Sequence, residues 1–179
     1  MPHRRLPVLR LVLLCAIAVS GCATRQSPPA GAAGIAGPGA DDRVTLTILQ
    51  MNDVYEITPV AGGAEGGLAR VATIKRELQA RNPNTIAVLA GDLFSPSALG
   101  TARVDGQRLA GRQIVDVMNV LGLDYATFGN HEFDLTKPDF DARMRETATK
   151  WISSNATDAG GAPFPGTATS TVFTITNRA

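Results

Sequence analysis

Apolar residues along positions 44–128 recur with two different spacings. Short runs rich in apolar and β-branched residues are typical of strands and occupy residues 44–50, 85–90 and 124–128. The second run is almost entirely apolar, which is typical of a strand buried on both faces of a sheet. Between the runs apolar residues recur every three or four positions, which predicts helices over residues 68–81 and 113–121.

The chain after residue 128 continues this alternation. Pro138 fits the first turn of a helix that runs to about Lys150, because a proline there loses no helical hydrogen bond. Residues 151–155 and 169–176 are predicted as a fourth and a fifth strand, and residues 93–111, rich in Gly and Pro, as a loop. The order β-α-β-α-β-α-β indicates an α/β fold, with a mainly parallel sheet and flanking helices.

Polar side chains follow three of the predicted strands directly. Asp53, Asp92 and Asn130 each lie just past the carboxyl end of a strand. Ligands of parallel sheets bind at that edge, and neighbouring strands are only about 4.8 Å apart. The three side chains are therefore expected to share one or two metal ions, although nearly forty residues separate each from the next.

These residue types suit a two-metal hydrolytic site. Their oxygen atoms favour hard or borderline divalent ions such as Mn²⁺, Mg²⁺ or Zn²⁺, and a carboxylate such as Asp92 is a natural bridge between two of them. Two such ions can hold a phosphate and activate a water molecule. His131 follows Asn130 directly and can stabilise charge on the substrate, while Asp134 can fix the tautomer of its imidazole.

Each residue, taken alone, also has a purely structural interpretation. Asp92 can lie in an ordinary turn, and Asn52–Asp53 can cap one. An isolated histidine such as His131 is more often structural than catalytic, and Glu132 can be a solvated or hydrogen-bonded acid. The glycine-rich residues 62–67 are more often a plain connector than a phosphate cradle.

The first 22 residues have the pattern of a secretory signal. Residues 1–10 carry three arginines and no acid, and residues 11–19 are apolar but too short to span a bilayer. Residues 19–22 (Val-Ser-Gly-Cys) resemble a bacterial lipobox, in which cleavage precedes the cysteine and Cys22 is acylated. An ordinary signal peptide and an uncleaved anchor are the alternatives.

Composition extends this picture to the rest of the chain. Residues 23–43 are rich in Ala, Gly and Pro and predict a flexible tether, which leaves residues 44–179 for the fold. The expected location is the bacterial cell envelope, as a periplasm-facing lipoprotein attached to the membrane by its lipid, or else secreted to the periplasm. Loss of the leader's three arginines takes the formal net charge from +1 to −2, and no basic run suggests a nucleic-acid polymer as partner.

The strand-end motifs together resemble those of the calcineurin-like metallophosphoesterases. The motifs are Asn52-Asp53-Val54-Tyr55, Gly91-Asp92 and Gly129-Asn130-His131-Glu132-Phe133-Asp134. Within that family the chain is most similar to the bacterial group of 5′-nucleotidases, UDP-sugar hydrolases and 2′,3′-cyclic phosphodiesterases. The resemblance extends over about residues 44–160 and is carried by three blocks in the family's order.

The resemblance implies a fold and a set of roles. The fold is the metallophosphoesterase-type α/β/β/α sandwich, incomplete here and normally followed by a substrate-binding domain. Two divalent ions (Mn, Zn or Mg) are implied, with Asp53 on one ion, Asp92 bridging and Asn130 on the other. His131 and Asp134 are implied as the catalytic pair, and a nucleotide or other phosphoester as the substrate.

Two departures from the family pattern qualify that expectation. The family's Asp-x-His is Asp53-Val54-Tyr55 here, and a phenol is a poor metal ligand unless it is deprotonated. Tyr55 is therefore a doubtful ligand: either it binds weakly, or the first metal site is altered, or water takes its place. The chain has two histidines, His3 and His131, whereas the family supplies further histidines later in its sequence.

Three hypotheses follow from this combination. The first is that the chain is the N-terminal part of a metal-dependent, 5′-nucleotidase-like phosphoester hydrolase. The 179 residues alone are then expected to have little or no activity. The second is a truncated, non-catalytic relative that binds metal weakly or not at all. The third is a related ester hydrolase with a substrate other than a nucleotide.

Overall fold

The computed structural model describes residues 43–175. The predicted signal peptide, Cys22 and all but the last residue of the predicted tether lie outside the described residues. The elements in chain order are β1 (Thr47–Met51), α1 (Leu68–Arg81), β2 (Thr85–Ala90), β3 (Arg103–Val104), β4 (Gln107–Arg108), α2 (Arg112–Leu121), β5 (Tyr125–Thr127), α3 (Lys137–Glu146), β6 (Lys150–Ile152) and β7 (Thr167–Ala168).

Five of these strands form one sheet in the order β1-β2-β5-β6-β7. Every neighbouring pair is parallel, with Thr47 opposite Thr85 and Val88 opposite Tyr125. The predicted α/β fold with a mainly parallel sheet and flanking helices is therefore confirmed. The carboxyl ends of β1, β2 and β5 lie side by side, which is the arrangement that the candidate site requires.

Three local predictions need correction. The third helix ends at Glu146 and not near Lys150, because Lys150 is already the first residue of β6. The fifth strand is the short β7, and residues 169–175 are not in a strand, while position 176 of the predicted strand lies outside the described residues. The predicted loop at residues 93–111 contains the antiparallel hairpin β3–β4, whose two-residue turn Asp105–Gly106 has the positive φ values typical of such turns.

A single hydrophobic cluster joins the three helices to one face of the sheet. The sheet contributes Ala87 and Leu89 from β2 and Trp151 from β6, all of them buried. Trp151 packs against Phe94 and Phe128, with ring centroids 5.1 and 4.9 Å away. None of the helices within residues 43–175 is both long and apolar enough to cross a membrane.

The opposite face of the sheet is more open. Ile48 on β1 is 56% exposed, and Ile86 and Val88 on β2 are only half-buried. The prediction that residues 85–90 are buried on both faces is thus wrong for the described part of the chain. One face of β2 packs into the core and the other is partly covered, which accounts for the apolar run at residues 85–90.

A buried lysine connects α1 to the start of β5. Lys75, 7% exposed, donates from Nζ to the carbonyls of Leu121 and Gly122 and lies 3.7 Å from the Asp124 carboxylate. Gly122 ends α2 with a left-handed φ of 74°, a conformation that favours glycine. Asp124 in turn accepts the Ala87 N–H at 2.8 Å, which links the start of β5 to β2.

Candidate metal and phosphoester site

The predicted ligands lie in two neighbouring loops that follow β1 and β2. Asp53 comes two residues after β1 ends, and Asp92 two residues after β2 ends. The loops are tied by backbone hydrogen bonds: Asp53 N donates to Gly91 O at 3.2 Å and Val54 N to Asp92 O at 3.0 Å. Both aspartates have left-handed backbones, with φ of 53° and 62°, which aspartate tolerates better than most residues.

Two glycines allow the loop after β5 to approach the loop after β2. A Cβ atom on Gly91 would lie 2.6 Å from Gly129 N, and one on Gly129 would lie 2.1 Å from Asp92 Oδ1. Neither position has room for a side chain. The glycines that precede Asp92 and Asn130 are thus required by the close approach of the two backbones.

The structure brings the Asp53 and Asp92 carboxylates together around one hydroxyl group. Tyr55 Oη donates to Asp53 Oδ1 at 2.9 Å and to Asp92 Oδ2 at 3.2 Å. The remaining oxygens are also hydrogen-bonded, because Asn52 Nδ2 donates to Asp53 Oδ2 at 2.5 Å and His131 N to Asp92 Oδ1 at 3.0 Å. The two carboxylates therefore face a common point, as an ion that binds both would require.

Hydrogen bonds in this cluster favour ionised aspartate and neutral tyrosine. The Asn52 amide, followed by the Tyr55 hydroxyl, lowers the pKa of Asp53 below its usual range. Burial and the hydrogen bond to Asp53 raise the pKa of Tyr55 far above its ordinary value. In the absence of metal, Tyr55 is a hydrogen-bond donor and not a phenolate.

Asn130, His131 and Asp134 occupy the short helical turn after β5. Asn130 is exposed and precedes the 3-10 turn His131–Asp134, and its backbone carbonyl accepts the Phe133 N–H. His131 Nδ1 lies 2.6 Å from Asp134 Oδ2, and this carboxylate favours the tautomer with the proton on Nδ1. The Asp134 hydrogen bond raises the pKa of His131 above its ordinary value.

Glu132 supports this site in a way that the sequence did not reveal. Its side chain is completely buried and accepts four backbone N–H groups. Those donors belong to Asp92, Leu93 and Phe94 after β2 and to Gly129 after β5. The carboxylate thus joins the loop that presents Asp92 to the loop that presents Asn130 and His131.

The glycine-rich loop at residues 62–67 fits the connector interpretation. The Arg70 guanidinium donates to the carbonyls of Gly63 and Gly66, and Val60 pairs with Glu65 across the loop. The loop is therefore organised around a side chain of α1. Its glycines have positive φ, which closes the turn.

A divalent metal fits this donor set in part. Asp53 and Asp92 offer converging carboxylate oxygens, and Asn130, after the neighbouring strand β5, has an amide; these are ligand types that hard divalent ions accept. Within residues 43–175, however, no group of three or more His, Cys, Asp and Glu side chains is arranged to hold an ion. The oxygen ligands are present, and the imidazole ligands of the family pattern are not among the described residues.

A glutamine at position 132 tests the connecting role of Glu132. We expect Glu132→Gln to lower the free energy of unfolding by about 3 kcal/mol or more, because the amide has one acceptor oxygen and turns an NH₂ group towards two of the N–H donors. Chemical denaturation measures this loss. The matched change Glu77→Gln, on the exposed face of α1, should alter stability by less than about 0.5 kcal/mol. A loss below about 1 kcal/mol at position 132 would contradict the assignment.

Comparison with known proteins places this geometry in a family. Residues 46–173 match the family model of the calcineurin-like phosphoesterases. The trifunctional nucleotide phosphoesterase protein YfkN of Bacillus subtilis is 31% identical over 147 residues, which are 75% of this chain and 10% of that protein. A snake venom 5′-nucleotidase from Gloydius brevicauda is 40% identical over 98 residues, 50% of this chain and 16% of that enzyme.

A solved structure agrees with the sequence comparisons. The crystal structure of the calcineurin-like phosphoesterase YfkN from Bacillus subtilis superposes with a TM-score of 0.52 and 27% identity, covering 65% of this chain and 39% of that one. This chain therefore spans a minor part of each of these relatives. The family match includes all three strand-end motifs and well over half of the chain. The chain belongs to the calcineurin-like phosphoesterase family.

Proposed function

We propose that this chain is the N-terminal part of a metal-dependent phosphoester hydrolase that acts on nucleotides in the manner of a 5′-nucleotidase. The observation that carries the proposal is the convergence of Asp53 and Asp92 on one point, beside the His131–Asp134 pair. The relatives are phosphoesterases by their names, and two of them act on nucleotides by those names. Calcineurin-like phosphoesterases generally use divalent metals, and two ions of Mn, Zn or Mg are the proposed cofactors.

The proposed ligands are the three residues that follow β1, β2 and β5. Asp53 would hold one ion, Asp92 would bridge and Asn130 would hold the second. When bound, divalent ions neutralise charge on the phosphate oxygens and make water acidic enough to act as a nucleophile. The chain's own contribution is to hold these oxygens in place through the glycine contacts and the Glu132 hydrogen bonds.

His131 and Asp134 are the proposed catalytic pair. The Asp134 carboxylate fixes the proton on Nδ1 and orients the ring, which leaves Nε2 for the substrate. A protonated His131 would stabilise negative charge on the phosphoryl group and donate a proton to the departing oxygen. The raised pKa of His131 keeps more of it in the protonated form near neutral pH.

One observation favours a second function. Residues 43–175 hold His131 as their single histidine, and Tyr55 stands at the position of a histidine ligand. A non-catalytic relative that binds metal weakly is the competing proposal. Metal-dependent phosphate release by the 179-residue chain alone would refute it. Profiling of substrates against other esters separates the nucleotidase proposal from a hydrolase with a different substrate.

The proposed location is the bacterial envelope, through a lipid on Cys22. The support is the leader sequence, which lies outside the described residues. We expect Cys22→Ala to move the protein from the membrane fraction to the soluble fraction of the cells that produce it. An unchanged membrane fraction in that variant would argue against lipidation at Cys22.

Loss of the bridging carboxylate is expected to abolish hydrolysis. Asp92→Ala in the full gene product, supplied with Mn²⁺, should lower phosphate release from a nucleoside monophosphate by roughly a hundredfold or more. The control is Asp116→Ala, whose carboxylate lies on the exposed side of α2 and should leave the rate unchanged. Equal rates in the two variants would remove Asp92 from the mechanism.

Removal of the Asp134 carboxylate is expected to shift the titration of His131. Asp134→Asn should lower the pKa of His131 towards its ordinary value of 6.5, as followed by NMR without added metal. Because the pKa is raised in the folded state, the stabilisation by Asp134 is fully present below 6.5 and is lost as pH rises through the folded-state pKa. The difference in free energy of unfolding between the wild type and Asp134→Asn should therefore shrink as the pH rises above the pKa of His131. An unshifted titration in Asp134→Asn would contradict the pairing.

A further inference from the structure

We propose that Tyr55 competes with metal for Asp53 and Asp92, so that its hydroxyl hydrogen must be displaced before a divalent cation can bind both carboxylates. This inference rests on the proposed function, because it takes the two aspartates as metal ligands. It assigns Tyr55 a role opposite to that of a ligand. The tyrosine would lower the affinity of the first metal position.

All four carboxylate oxygens of the two aspartates already accept protein donors. Asp53 receives the Asn52 amide and the Tyr55 hydroxyl, and Asp92 receives the His131 backbone N–H and the same hydroxyl. The two outer donors approach from the periphery of the cluster, one from an adjacent side chain and one from the backbone. The Tyr55 hydroxyl is the donor that contacts both carboxylates.

The hydroxyl and a cation bound to both carboxylates would compete for the same space. Tyr55 Oη lies 2.9 Å from Asp53 Oδ1 and 3.2 Å from Asp92 Oδ2, so its one hydrogen is shared between these two oxygens. A divalent ion held by both carboxylates would take the space between Asp53 Oδ1 and Asp92 Oδ2 that the hydroxyl faces. That position and the hydroxyl hydrogen exclude one another. The hydroxyl therefore has to move away from the two carboxylates when an ion enters.

The Tyr55 hydroxyl also stabilises the site when no metal is bound. Two ionised carboxylates that face each other repel, and the shared donor reduces that repulsion. Tyr55 is further held by an edge-on contact with the His131 ring, at 6.0 Å and 87°. Its removal should therefore weaken the metal-free protein and strengthen metal binding.

Calorimetric titration of the full 179-residue chain with Mn²⁺ tests the proposal. Tyr55→Phe keeps the ring and removes the competing donor, so we expect Mn²⁺ to bind about tenfold more tightly than to the wild type, the scale of one hydrogen bond to a charged group. The melting temperature of the metal-free variant should fall, and its rise on addition of Mn²⁺ should be larger than in the wild type. The matched control is Tyr125→Phe in β5, which lies against Phe173 and Lys150 and should bind Mn²⁺ as the wild type does.

Two further variants make the test specific. Tyr55→His also removes the hydroxyl and adds an imidazole, and should bind Zn²⁺ more tightly than the wild type. Addition of Asp92→Asn to Tyr55→Phe should cancel the gain in affinity, because the gain depends on that carboxylate.

The opposite results overturn the proposal. Weaker Mn²⁺ binding by Tyr55→Phe would make the phenol oxygen a ligand, and unchanged or undetectable binding in both proteins would show that no competition exists. Phosphate release is a separate measurement. Tighter binding without hydrolysis by the full gene product would keep the Tyr55 inference and remove the proposed function.

Discussion

A buried carboxylate holds the candidate site together. Glu132 has no exposed surface, and its charge is balanced by four backbone N–H groups and not by a cation. Such a group is costly to bury unless every lone pair is used, and here the donors come from the loops after two different strands. The left-handed backbone of Asp92 and the contact of Gly91 with Gly129 are conformations that these four hydrogen bonds keep in place.

The same site contains carboxylates of a different kind. Asp53 and Asp92 lie nearer to the surface and share one movable hydroxyl, whereas Glu132 is fixed by donors that cannot rotate away. Glu132, buried and bound by backbone donors, is thus a structural acid. Asp53 and Asp92 are more exposed and are also bound by side chains, which can be replaced as partners. The run Gly129 to Asp134 contains both the buried supporting carboxylate and the proposed catalytic pair.

Much of the fold was predictable from the sequence. The positions of the candidate ligands were predictable as well, but the supporting role of Glu132 was not. The strand-end positions of Asp53, Asp92 and Asn130 follow from the hydrophobic runs, which are a local signal in the sequence. Their place at one edge follows from a general rule for parallel sheets. The hairpin in residues 93–111 was missed although Asp105–Gly106 is a hairpin signal, because two-residue strands carry no periodicity. The partners of Glu132 and Tyr55 lie up to forty residues away, so no local pattern shows them.

The Tyr55 hydrogen bonds also change what the family pattern implies. A tyrosine at the position of a histidine ligand is, in sequence terms, a lost ligand. In the structure it is a gained donor that stabilises two facing carboxylates without metal. A site of this kind gains stability in its metal-free state and loses metal affinity by the same interaction, because the free energy of the hydrogen bonds must be given up when the ion binds. Under the Tyr55 proposal, metal affinity would be set by this competition as much as by the number of ligands.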